Sequence, residues 1–171
     1  MKGKTAVVLT LPVIFIMVLL VLPALSPAAD LNCNKCHGQL AKGKVVHKAL
    51  SMGCTTCHGG IDGAAMPHKK TNSLARGLSS DQPELCYGCH DKGVFTKKNV
   101  HAAVAMGYTG CHNPHGSDQT ALVSKSDQCL SSHQQHRGPM VFQHAPVVED
   151  CTSCHAPHGS PNRGLLSVSQ P

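Results

Sequence analysis

Cysteine and histidine are the residues best suited to chemistry in this chain of 171 residues, which contains ten cysteines and thirteen histidines. Eight of the cysteines form four C-x-x-C-H motifs. The motifs contain Cys33, Cys36 and His37; Cys54, Cys57 and His58; Cys86, Cys89 and His90; and Cys151, Cys154 and His155. This spacing is typical of covalent haem c attachment, in which two thioethers hold one edge of the macrocycle and the following histidine, termed proximal, ligates the iron. The motifs therefore predict covalently bound haem c.

Zinc sites and disulfides are the other common uses of paired cysteines. Zinc ribbons take two C-x-x-C pairs per site, and small exported domains use cysteine pairs as disulfides. Neither use requires a histidine directly after each pair. Four motifs that all carry this histidine favour haem over both alternatives.

Two further segments resemble motifs that have lost one cysteine. They are Tyr108-Thr-Gly-Cys111-His112 and Cys129-Leu-Ser-Ser132-His133. We expect each to hold haem through a single thioether, at Cys111 and Cys129, because the proximal histidine is retained. The alternatives are empty sites or, at Tyr108, a phenolate axial ligand. With these two segments all ten cysteines are assigned, so the chain is expected to hold four to six haems.

The histidines outside the motifs, termed distal, recur at fixed positions. In each repeat, one lies seven residues before the first position of the second motif, and another follows that motif in a Pro-His pair. These distal candidates are His47, His101 and His144, and His68, His115 and His158. Proximal and distal histidines together suffice for six haems with an imidazole on both faces, which leaves His136 as a solvated surface residue.

The recurring pattern predicts three repeats of one unit, at about residues 31–77, 78–124 and 125–160. Each unit carries an attachment motif, a distal histidine, a second motif and a second distal histidine. The first two units share further residues around the first distal histidine, and the last two share the phrase C-H-x-P-H-G-S.

Composition argues against a conventional core. Aromatic residues make up 3% of the chain and tryptophan is absent, so haem must supply the apolar interior. We expect mostly coil with short α-helices wrapped around stacked haems, in a three-fold internal repeat with no sheet core. Short helices are predicted at about 45–52 and 100–106, each ended by a glycine, Gly53 or Gly107.

The N-terminus has the layout of a secretory signal peptide. Lys2 and Lys4 precede an apolar run over residues 6–22, and small residues lead to Ala28. We expect cleavage after residue 28, which leaves 29–171 as a multihaem domain in the periplasm or another extracytoplasmic compartment. The alternative is an uncleaved membrane anchor, and a membrane association is expected only in that case. The basic residues are scattered and few aromatics are available to stack bases, so no nucleic-acid partner is expected.

The C-H-x-P-H-G-S phrases and the alternation of motif and distal histidine resemble the doubled-CxxCH family of multihaem c-type cytochromes. The H-x6-CxxCH phrase is similar to periplasmic multihaem cytochromes that feed outer-membrane electron conduits and respiratory reductases. This resemblance implies low-spin haems with two histidine ligands, stacked in a chain that transfers electrons in anaerobic respiration. It also implies redox proteins as partners: a quinol dehydrogenase, other cytochromes or a terminal reductase.

Two other functions stay open at this point. A multihaem reductase of the nitrite, hydroxylamine or sulfite type needs an iron with one open axial position and acid–base groups around it. The sequence shows no such cluster, so an electron carrier rather than an enzyme is expected. A non-haem metal-binding or structural module is the third possibility.

Overall fold

Short helices are the main regular elements of the computed structural model, which describes residues 32–142 and 144–169. The α-helices are α1 (Asn34–His37), α2 (Glu84–Tyr87), α3 (Lys92–Phe95), α4 (Gln128–Ser132) and α5 (Ala145–Glu149). The 3₁₀ segments are Gly38–Ala41, Lys48–Met52, Cys54–Thr56, Ala75–Gly77, Ala102–Met106, Tyr108–Gly110, Thr120–Leu122, Gln134–His136, Cys151–Ser153 and Arg163–Leu165. Such short elements are too small to be stable alone and depend on what packs against them.

Every attachment motif is wound into one helical turn. In all six, the proximal histidine N–H donates to the carbonyl of the first motif position four residues earlier, at 2.8 Å for His37 and 2.9 Å for the others. The imperfect segments keep this bond, since His112 N–H donates to Tyr108 and His133 N–H to Cys129. The turn places the two thiol positions and the histidine together, as thioether attachment requires.

The strands are two residues long and pair antiparallel. They are β1 (Val45–Val46) with β5 (Gly116–Ser117), β2 (Ile61–Asp62) with β3 (Lys69–Lys70), and β4 (Asn99–Val100) with β6 (Gly159–Ser160). The β2–β3 pair is a local connection, whereas β1–β5 and β4–β6 join segments far apart in the chain. These two long-range pairs bring the distal histidines of different repeats together.

The predicted helices at 45–52 and 100–106 are shorter than expected and of 3₁₀ type. Each begins after a strand, because His47 and His101 adopt extended backbone conformations. Their N–H groups donate to His115 and His158 carbonyls at 2.9 Å instead of to a helical turn. The predicted glycine stop is confirmed: Gly53 has a φ of 91° and a ψ of 149°, a region open only to glycine.

No apolar side chain is buried in the part of the chain that the structure describes. The buried positions are Gly60, Gly77, Gly116, Ser117, Gly159 and Ser160. The serines serve the loop that follows them, since Ser117 Oγ donates to Val123 O and Ser160 Oγ to Leu166 O. The expectation of mostly coil, short helices and no sheet core is confirmed, while the three-fold repeat and the wrapping of haem stay predictions.

The predicted signal peptide lies outside the described residues. Across residues 32–142 and 144–169, the structure contains no helix with the length and hydrophobicity to cross a membrane.

Candidate haem-binding sites

Ten of the thirteen histidines face one another in five pairs. Each pair joins one proximal and one distal histidine. The ring-centroid separations are 5.9 Å for His37–His68, 6.1 Å for His58–His115, 6.1 Å for His90–His47, 5.7 Å for His112–His158 and 6.0 Å for His133–His101. Proximal and distal histidines therefore meet at five of the six predicted sites.

These separations fit an iron between each pair. Two metal–nitrogen bonds of about 2 Å, plus about 1 Å from each nitrogen to its ring centre, give roughly 6 Å. At His112 and His158 the Nε2 atoms point at each other across 3.5 Å, slightly less than two such bonds. In the described part of the chain, no three or more histidine, cysteine or acidic side chains are grouped to hold a metal ion. The arrangement consists of opposed imidazoles, which is the donor set of a six-coordinate haem iron.

Backbone carbonyls fix the imidazole tautomer at six histidines. A carbonyl can only accept, so each Nδ1 carries the hydrogen, and in the neutral imidazole this leaves Nε2 to bind a metal. The bonds run from His47 to Pro114 O (2.9 Å), His58 to Arg76 O (3.0 Å), His68 to Ala65 O (2.9 Å), His101 to Pro157 O (2.9 Å), His112 to Ala121 O (2.8 Å) and His155 to Gly164 O (2.7 Å). The prolines of the Pro-His pairs were not predicted to take this role, although their recurrence before each second distal histidine was the available signal.

The long-range strand pairs place the histidines of neighbouring repeats. His115 directly precedes β5, and its carbonyl accepts from the N–H of His47, which directly follows β1. The same contacts recur between His158, before β6, and His101, after β4. Each strand pair therefore positions two distal histidines, and these face the proximal histidines of two different predicted sites.

A small cavity marks the second site. It is lined by both thiols of the motif, Cys54 and Cys57, by the opposed rings of His58 and His115, and by His47. His47 lies seven residues before Cys54 and lines this cavity, but its ring faces that of His90 in the next motif. A distal histidine therefore faces the proximal histidine of a site other than its neighbour in sequence.

Burial favours the neutral form of two distal histidines. It lowers the pKa of His115, with a smaller contribution from the neighbouring His58, and it lowers the pKa of His158, with a smaller contribution from the neighbouring His112. A neutral imidazole is the form that ligates iron. Both shifts therefore favour ligation.

Four of the five successive pairs of attachment motifs also have side chains close together. The Cys54 thiol is hydrogen-bonded to that of Cys33, and this contact raises its pKa after the larger effect of burial. Burial and then the nearby Cys57 raise the pKa of Cys86. Cys129 is hydrogen-bonded to Cys151 in the last repeat. No disulfide involves any of the ten cysteines, all of which lie among the described residues.

Tyr108 occupies the place of a thiol in the fourth site. It lies beside Cys86 as Cys54 lies beside Cys33, and its hydroxyl is 2.8 Å from that of Tyr87. Burial and this hydrogen bond raise the Tyr108 pKa, which opposes a phenolate ligand. Phe95 packs edge-on against the ring of His158 at 5.0 Å. The sequence carried no signal for this contact of Phe95.

Three histidines stand outside the five pairs. His136 lies 6.3 Å from His133 at a tilt of 44°, whereas His101 stacks on His133 at 23°. His144 and His155 make no ring contact with any other histidine in the described residues, which include all thirteen. The structure therefore does not bring the predicted distal candidate His144 to a proximal histidine.

Residues 47–95 and 144–171 match the family model of the doubled CXXCH motif. A stretch of 67 residues is 33% identical to "Multiheme cytochrome MtrA" of Shewanella baltica (strain OS185), over 35% of this chain and 20% of that protein. Over these residues the chain is similar to multihaem c-type cytochromes with doubled CxxCH motifs. The motifs and this similarity support covalently bound c-type haem. The match spans about a fifth of its relative's length.

Proposed function

We propose that this cytochrome carries electrons between redox proteins outside the cytoplasm, through haems at six sites, five of them ligated by two histidines. The observation that carries the proposal is the set of five proximal–distal histidine pairs, with ring separations of 5.7 to 6.1 Å. The attachment residues are the ten cysteines of the four complete and two single-cysteine motifs.

Haem supplies reversible one-electron chemistry at iron. The protein residues hold that group still, because carbonyls fix several axial imidazoles and helical turns fix the thioethers. Imidazoles on both faces leave no position for a substrate at the paired sites. This supports electron transfer over a multihaem reductase, which needs an open iron.

Contacts between successive motifs support a path through the first four sites. Motifs one and two meet at Cys33 and Cys54, and motifs two and three at Cys57 and Cys86. Motifs three and four meet at Cys86 and Tyr108. Electron transfer slows steeply with distance, so haems attached at neighbouring motifs would exchange electrons quickly. We infer a chain of haems that follows the order of the motifs.

Domain organisation and location belong to the same proposal. Residues 1–28 serve as a cleaved signal peptide, and residues 29–171 form one multihaem domain of three repeats. Thioether attachment of haem c requires export, which the basic and apolar leader supports. The partners are redox proteins of the same compartment: a quinol dehydrogenase, other cytochromes or a terminal reductase.

Intact mass of the exported protein tests this proposal. A host with a cytochrome c maturation system should yield a chain that has lost residues 1–28 and gained six haems. C111S and C129S should each remove one haem. C33S/C36S, the control at a complete motif, should also remove one haem. A mass equal to the apoprotein would contradict the proposal, and four haems would restrict it to the complete motifs.

A further inference from the structure

Hydrogen bonding divides each histidine pair into two unlike members. In every pair, Nδ1 of one ring is bonded to a backbone carbonyl, and the described part of the chain offers no such bond to the other ring. The anchored rings are His68, His58, His47, His112 and His101. The unanchored rings that face them are His37, His115, His90, His158 and His133. A carbonyl bond fixes the plane of an axial imidazole, so the planes of the unanchored rings depend on other contacts.

Phe95 contacts two of the unanchored rings. Its ring lies edge-on to His158, with centroids 5.0 Å apart and planes at 84°. It also lies edge-on to His90, at 6.4 Å and 73°. Edge-to-face contact is a favoured arrangement of aromatic rings at such separations. His90 belongs to the third site and His158 to the fourth, so one phenylalanine restrains an imidazole plane at two successive sites.

The backbone around Phe95 brings its ring to these sites. Phe95 ends α3, and Asp91 caps the start of that helix by accepting from the N–H of Gly93 at 2.8 Å. A Cβ on Gly159 would lie 2.9 Å from Phe95 O, closer than ordinary packing allows. Glycine therefore lets β6 pass directly over the end of α3. His158, which precedes β6, is carried against the Phe95 ring by this approach.

Two tyrosines enclose the Phe95 ring. Tyr108 lies 5.4 Å from Phe95 and 5.8 Å from His158, and Tyr87 lies 6.2 Å from Phe95. The two tyrosine hydroxyls are 2.8 Å apart and share a hydrogen bond. Phe95 is partly buried among these rings, whereas Phe142 is 94% exposed. The surroundings therefore hold Phe95 in one position, as a residue that orients others requires.

We propose that Phe95 is a positioning residue that fixes the imidazole planes of His90 and His158 at two successive haem sites. This inference rests on the proposed function, because the imidazoles must ligate iron. The plane of an axial imidazole orients the iron d orbitals, so a fixed plane gives each iron one ligand field instead of a distribution. The effect is larger at the fourth site, since Phe95 lies closer to His158 than to His90.

Electron paramagnetic resonance of the oxidised holoprotein reports these planes. The imidazole planes make an angle of 18° in the His90–His47 pair and 28° in the His112–His158 pair. Nearly parallel imidazole planes give a rhombic low-spin signal, and planes turned away from each other give a signal with a larger maximum g value. We therefore expect rhombic signals from both irons in the wild-type protein.

Substitution of Phe95 tests the inference. F95L removes the aromatic ring, so the signals of two of six irons should broaden and move to larger g values. F95Y keeps the ring and should keep the wild-type signals. F142L is the matched control, because it makes the same change at an exposed phenylalanine, and it should leave all signals unchanged. Intact mass shows whether the variants carry equal numbers of haems.

Carbon monoxide binding gives a second readout of the same variants. Loss of the edge-to-face contact makes His158 easier to displace, so the carbon monoxide affinity of the reduced fourth site should rise by about 2- to 12-fold in F95L. Y108L removes a ring that contacts His158 but not His90, so it should change the signal of the fourth iron only. This variant decides the matter if F95L fails to take up haem.

The outcomes separate this inference from the proposed function. Wild-type signals in fully loaded F95L, or an equal change in F142L, would overturn the inference and leave the proposed function intact. If F95L takes up no haem, unchanged signals in Y108L would overturn the inference. A wild-type protein without haem would overturn both.

Discussion

We expect Gly116 to control ligation at the second proposed haem site, and G116A to open that site. Gly116 is buried in β5 directly after His115. A Cβ there would overlap the carbonyl oxygen of Lys42 and lie 3.2 Å from its carbon, so β5 must move away from β1. His115 would move with β5, away from His58.

The size of the effect follows from the cost of overpacking. Added methyl groups in tightly packed positions cost about 1–3 kcal/mol, which corresponds to roughly a 5- to 150-fold change in an equilibrium constant. Carbon monoxide competes with His115 for the iron. Its apparent affinity at this site should therefore rise by the same factor, because more of the site is open at any time.

The assay is a carbon monoxide titration of reduced wild-type and variant holoprotein, with intact mass to show equal haem content. G38A is the matched control: Gly38 also follows a site histidine, His37, but a Cβ there meets no atom within 4 Å. Unchanged affinity in G116A, or an equal rise in G38A, would refute the reasoning that strand contact sets the ligation.

Three further predictions concern the imperfect sites and the source of stability. G159A should raise carbon monoxide affinity at the site of Cys111 by roughly 5-fold, near the lower end of that range. The effect is small because the closest contact of the added Cβ, with Phe95 O, is 2.9 Å. No rise would contradict the role of β6. Y108C should convert attachment there to two thioethers, visible in the pyridine haemochrome spectrum, because Tyr108 lies beside Cys86 where a thiol belongs; an unchanged spectrum would show that the position is not an attachment site. The chain made without haem should show no cooperative transition in urea, because no described apolar side chain is buried; a sharp transition would show a core independent of haem.

The sequence indicated which cysteines and histidines are candidate site residues, but it did not indicate which histidines face each other. Covalent attachment imposes the C-x-x-C-H spacing on adjacent residues, so the motif can be identified locally. The pairing of His58 with His115 depends instead on β1 and β5, which are two residues long and far apart in the chain. Two residues show no alternation of apolar and polar side chains, so no pattern in the sequence could reveal these strands.

For the local fold, the sequence likewise indicated where two helices end but not their type or length. Gly53 and Gly107 were predicted to end helices, and both have positive φ. The helices before them are short 3₁₀ turns because His47 and His101 give their N–H groups to distant carbonyls. Tertiary contacts of this kind override local propensity, and they decide which imidazoles meet.

Near-infrared magnetic circular dichroism of the oxidised holoprotein tests the central claim most directly, because its charge-transfer band identifies the axial ligands of each low-spin iron. The account predicts two imidazole ligands at five of six irons. A spectrum dominated by irons with a single histidine ligand would contradict the account.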